Sequence, residues 1–130
     1  MRSLLAGAVA TLAIAAGCTS GHDAPNGPVP AGPTQVVVEN HNWLDVTVYA
    51  VRSGMRQRLG TVGTAMTGTF RIPPSLIGQG GQVQLLVDPI GASQTRLLPP
   101  ISIVNGDRID VAIHNHLPLS SISVLPRGRR

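Results

Sequence analysis

The residues with most capacity for chemistry are His114 and His116, set either side of Asn115. On a strand, side chains two apart share a face. Ile109, Val111 and Ile113 claim the core face, so Asp110, His114 and His116 fall together on the other. Two imidazoles on one side can ligate zinc or copper, and His41 is the expected third ligand. The competing reading is polar side chains where a strand runs into a loop, with no cofactor. His41 also belongs to the turn Asn40-His41-Asn42-Trp43, which holds the chain's one Trp. The asparagines suit left-handed turn geometry. Trp43 either caps an aliphatic core or stands exposed as an anchor for a partner, with His41 beside it. Arg52, Arg56 and Arg58 crowd a second turn, RSGMRQR. Machinery for nucleophilic or metal-assisted hydrolysis is missing from the sequence, which has no Gly-x-Ser-x-Gly and no HExxH. The six acids are scattered, which argues against a paired-carboxylate hydrolase. No enzyme activity and no catalytic residue is therefore expected.

These groups must be positioned by strands. Residues 35–40, 44–51, 57–62, 67–72, 82–88, 97–104, 107–115 and 120–125 are β-branched or alternate apolar with polar. Turn signals separate them: Ser53-Gly54, Pro73-Pro74, Gly80-Gly81, Asp88-Pro89, Asn105-Gly106 and Pro118. Asn105-Gly106 is the strongest hairpin signal. No stretch holds a helical period with caps. The expected fold is all-β, a single antiparallel sandwich of seven or eight short strands over residues 34–126. If the strands alternate in direction, the two ends differ. One end gathers His41, Trp43, His114, His116 and the 88–95 loop. The other gathers Arg52, Arg56, Arg58 and the basic tail, residues 127–130.

The chain opens with Met1-Arg2-Ser3, an apolar run over residues 4–16, and Ala15-Ala16-Gly17-Cys18. A basic start, a short apolar run and small residues before a cut site make an export signal. The run is shorter than the roughly 20 apolar residues that span a bilayer. These residues resemble the lipobox of a bacterial lipoprotein precursor, with Ala15 where Leu is most usual. The resemblance implies removal of residues 1–17, thioether lipidation of Cys18, acylation of its new amino group with a palmitate-type chain, and a membrane anchor. Thr19 follows, where an Asp would favour inner-membrane retention, so the outer membrane is the expected address if the cell has one. Cys18 is the only cysteine, so the domain has no internal disulfide. Residues 18–33 are the lipidated Cys and a Pro- and Gly-rich linker, whose residues 19–33 reach roughly 45 Å at about 3.1 Å per residue.

Within the expected domain, Val46–Tyr49, then Leu59-Gly60-Thr61-Val62, then Thr67-Gly68-Thr69-Phe70-Arg71-Ile72 resemble prealbumin-like and carboxypeptidase-regulatory-like sandwiches. Ala65-Met66-Thr67 stands where those families have an acidic turn. The resemblance implies a non-catalytic module.

Composition narrows the partners. One Trp, one Tyr and one Phe leave an aliphatic core and few stacking platforms, unlike most sugar-binding or single-strand nucleic-acid modules. The pI of 11.1 comes from Arg alone, with no Lys. Arg2 and Arg127, Arg129 and Arg130 lie outside the strand region, where six Arg face five acids. No nucleic-acid partner is expected. The expectation is a lipid-anchored, non-enzymatic envelope module with an envelope protein as partner. A metal-handling lipoprotein built on His41, His114 and His116 is the alternative.

Overall fold

The computed structural model describes residues 32–77 and 82–127. The export signal, Cys18 and nearly all of the linker lie outside the described residues, as do residues 128–130 of the basic tail. Among the described residues no helix is long and apolar enough to cross a membrane.

Alternation along the strands builds two facing sheets. In β1 (Gln35–His41), Val36, Val38 and Asn40 point inward. In β8 (Arg108–His114), Ile109, Val111 and Ile113 do the same. These two strands form the middle of the first sheet, ordered β4-β1-β8-β9, with β4 spanning Thr67–Arg71 and β9 Ser121–Leu125. The second sheet is ordered β3-β2-β5-β6, with β3 spanning Met55–Val62, β2 Val46–Arg52, β5 Gln82–Pro89 and β6 Arg96–Leu97. Its inward side chains are Val46, Val48 and Ala50 from β2, with Val83, Leu85 and Val87 from β5. Each is essentially inaccessible to water, and together they close one aliphatic core of a β-sandwich.

Three details depart from the sequence reading. The pair β1–β8 is parallel, with Gln35 opposite Arg108 and His41 opposite His114. The path alternates up and down, with β6 and β7 running the same way as one leg, so β1 and β8 are its first and seventh legs and rise together. The expected strand over residues 97–104 is two short pieces, β6 and β7 (Ile101–Ser102), both pairing with β5. Pro99 and Pro100 separate them, because proline has no N–H to give the ladder. Asn105-Gly106 is a turn, but β7 pairs with β5 while β8 pairs with β1 and β9, so it makes no hairpin. Only Gly106 of that pair has a positive φ, at 95°, and Asp107 N–H donates to Val104 O at 3.2 Å. A positive φ at the third position alone marks a type II turn, whereas the two-residue hairpin turns need a positive φ at the second. Here the chain crosses between sheets instead.

The tight hairpin stands at Ser53-Gly54, where both residues have positive φ, 47° and 78°, and Arg52 faces Met55 directly. A bulge between Val48 and Tyr49 leaves Leu59 of β3 unpaired, and that side chain packs on the core. The ring of Phe70 lies over Gly60 where β3 meets β4; a methyl at Gly60 would overlap it. Two short helical turns also occur where none is expected, α1 (Pro74–Ile77) and a 3-10 turn (Leu117–Leu119). Leu76, Ile77 and Leu117 from these turns close the ends of the core.

Candidate functional site

The end of the sandwich where β1 and β8 finish is built around a buried amide. Asn40 is 1% exposed. Its Nδ2 donates to the carbonyls of Leu44 at 2.9 Å, Val62 at 3.1 Å and Gly63 at 3.1 Å. Its Oδ1 accepts from Asn42 N–H at 2.9 Å. Asn42, also buried, repeats the pattern one step on, accepting from Leu44 N–H at 2.9 Å and donating to His114 O at 3.1 Å. The two asparagines are thus consecutive Asx turns that satisfy backbone groups. Neither has a positive φ, so left-handed geometry is not why they are there. Buried backbone groups at a turn need partners, and these amides supply them.

That framework holds Trp43 outward. Its N–H donates to Asn115 Oδ1 at 2.7 Å, and its carbonyl accepts from Thr64 Oγ1 at 3.0 Å. Asp45 Oδ1 in turn accepts from Thr64 N–H at 2.9 Å. The backbone on both sides of Trp43 is pinned, yet its side chain stands free, the residue being 81% exposed. Trp43 therefore caps no core; Ile113 and Leu117 already fill that end. Beside it lies an open cleft of about 600 Å³, lined by the Trp43 turn, Pro89 at the end of β5, residues 91–94 beyond it, and residues 115–118 after β8.

The histidines separate into two places. His41 and His114 are register partners on β1 and β8, and their rings stack at 5.4 Å between centroids with planes 16° apart. His41 Nε2 lies 3.3 Å from Glu39 Oε2. His116 has left the strand; it precedes the 3-10 turn and lines the cleft. The expected zinc or copper set of His41, His114 and His116 is not assembled. β8 ends at His114, which breaks the two-residue alternation that would carry His116 to the same face. Stacked rings also hold their in-plane lone pairs side by side, whereas a shared metal needs them to converge. Asp110 of that face is engaged with Arg108 at 2.7 Å. Among the described residues, no three His, Cys, Asp or Glu side chains come together as a metal site.

The opposite end carries the arginines of the β2–β3 tip. Arg52 donates to Leu76 O at 3.1 Å, and Arg56 sits over the Tyr49 ring at 4.7 Å. Arg58 lies further up β3 and donates to Thr61 Oγ1 at 2.8 Å. Arg71 and Arg108 flank Gln35 where β1 begins, and Arg127 donates its N–H to Asp107 Oδ1 at 3.3 Å. Arg52 and Arg56 thus stand at the end expected from strand parity, whereas Arg58 lies further along β3, opposite Tyr49, and residues 128–130 lie outside the described residues. Sequence reasoning missed Asn115 as the residue that fixes Trp43, and Ser93 and Gln94 as cleft residues. The spacing Asn40-x-Asn42 was the available signal for a hydrogen-bonded turn.

No protein-family model matches this sequence, and no curated protein does. Among solved structures, the chain is similar to an NMR structure of a protein from Eubacterium rectale, at 15% identity and a TM-score of 0.40. The match covers 79% of this chain and 98% of that one.

Proposed function

We propose that this protein is an exported lipoprotein, anchored through Cys18, whose β-sandwich works by binding at the Trp43 end. The observation that carries the reading is a large, solvent-exposed indole on a backbone pinned from both sides, next to a cleft. Exposed aromatics on rigid frames are typical binding anchors, because little conformational freedom is lost when they are covered. Placement supports it. β1 runs from the side where residues 18–33 join the domain to the Trp43 turn, a rise of about 20 Å. The tether therefore enters at the end opposite the cleft. Arg52, Arg56 and Arg71 lie at that same end of the sandwich, where anionic headgroups would attract them at roughly 1 kcal/mol each close to the surface. The cleft then faces away from the membrane, toward an envelope component.

Two measurements test this. Cys18→Ser is expected to lose fatty-acid labelling and to leave the membrane fraction; a labelled, membrane-bound Cys18→Ser protein would refute the anchor. A photoreactive side chain at Ser93 is expected to give a discrete adduct in intact cells, and one at Arg56 none. Adducts only from Arg56 would place the binding surface at the wrong end.

A further inference from the structure

We infer that the cleft beside Trp43 takes a neutral carbohydrate, a pyranose of an envelope glycan stacked on the indole; this rests on the reading of that end as the binding site. The cleft's chemistry is the argument. None of its lining residues is Asp, Glu, Arg or Lys. Its polar groups are the amides of Asn115 and Gln94, the Ser93 hydroxyl and the His116 imidazole. Asn115 spends its oxygen on Trp43 N–H, which leaves its Nδ2 as a donor. The side chains of Ser93, Gln94 and His116 make no hydrogen bond among the described residues. A charged ligand would find no carboxylate, guanidinium or ammonium group in the lining, and a wholly apolar one would strand these donors and acceptors. A sugar ring answers both needs. Its C–H face packs on an indole, and its rim of hydroxyls both donates and accepts. The volume, about 600 Å³, exceeds one pyranose and suits a short oligosaccharide.

The shortage of aromatic residues bears on affinity rather than on chemistry. The one Trp of the chain stands at this cleft. A single stacking platform with a few neutral hydrogen bonds predicts weak binding, with a Kd on the order of 1 mM. Tethering many copies to one surface would compensate through avidity.

Because Trp43 is the only Trp, the intrinsic fluorescence of the full-length protein in detergent micelles reports on this site alone. Titration with chitotetraose and with cellotetraose is expected to shift or quench the emission, saturating with a Kd on the order of 1 mM for at least one of them. Retention on the immobilised oligosaccharide should fall at least about tenfold for Trp43→Ala and be partly kept by Trp43→Phe. Gln94→Ala should weaken retention while leaving the fold unchanged by circular dichroism. No fluorescence change with either sugar at about 30 mM would overturn the inference. So would equal retention of Trp43→Ala. If the sugars fail while the photoreactive Ser93 protein still yields its adduct, the carbohydrate assignment falls and the binding end stands. If both fail, the binding end falls with it.

Discussion

Replacing Asn40 with Ala tests whether a buried amide builds the binding end. The side chain makes four hydrogen bonds: three from Nδ2 to carbonyls and one at Oδ1 from Asn42 N–H. Two N–H groups are shared among the three carbonyls, so about three full hydrogen bonds are lost, each worth about 1 kcal/mol net. Asn40 is 1% exposed, so water does not simply replace the lost amide, and the stranded groups add to the loss. The expected destabilisation is about 3–4 kcal/mol, a drop in Tm of about 15 °C or more for a domain of this size. Urea titration followed by far-UV circular dichroism reads it. Asn40→Asp sharpens the test. It keeps the shape but aims oxygen at the three carbonyls, so at neutral pH it should be worse than Ala. Burial among acceptors raises the folded-state pKa of that carboxyl above its unfolded value. The folded state then holds the proton longer, so stability falls as pH rises between the two values and returns on acidification. A loss below about 1 kcal/mol for Ala, or Asn40→Asp matching the parent at neutral pH, would refute the reasoning.

Two further substitutions probe the frame. Val111 is 2% exposed, and Val111→Ala should cost on the order of 1–3 kcal/mol, while His114→Ala on the outer face should cost under about 0.5 kcal/mol by denaturant titration. Gly60→Ala sets a methyl against the Phe70 ring and should cost about 1–3 kcal/mol. Adding Phe70→Leu should recover part of that loss, and strict additivity of the two would disprove the overlap.

Much of the frame was legible because burial on one side of a sheet imposes a two-residue period. Val46, Val48 and Ala50, then Val83, Leu85 and Val87, then Ile109, Val111 and Ile113 could be assigned to one face from alternation alone, and all are buried; the run Val36-Val37-Val38 has no alternation to choose its inward face. The sorting of ends followed from counting strands, since each turn reverses the chain whichever sheet it enters. Splitting the run over residues 97–104 into β6 and β7 left that count intact, because both pieces run antiparallel to β5. The choice of neighbours was not legible. Asn105-Gly106 looks the same in sequence whether it closes a hairpin or carries the chain from one sheet to the other. Only pairing of β8 with β1 decides between them.

The site divides along the same line. Residue type and strand parity by themselves determined that His41, Trp43, His114 and His116 share one end of an aliphatic sandwich, because alternation and turn chemistry are local. Tertiary structure alone decided what that end can do. Asn40 and Asn42 became supports because distant carbonyls of β3 and β8 needed donors. His116 parted from His114 because β8 stops at His114, and stacking turned the remaining pair away from metal geometry. Trp43 stayed in water because Ile113 and Leu117 had already closed the core beneath it. Whether an apolar ring caps a core or stands free depends on which other side chains reach the same space, and sequence-local rules carry no term for that.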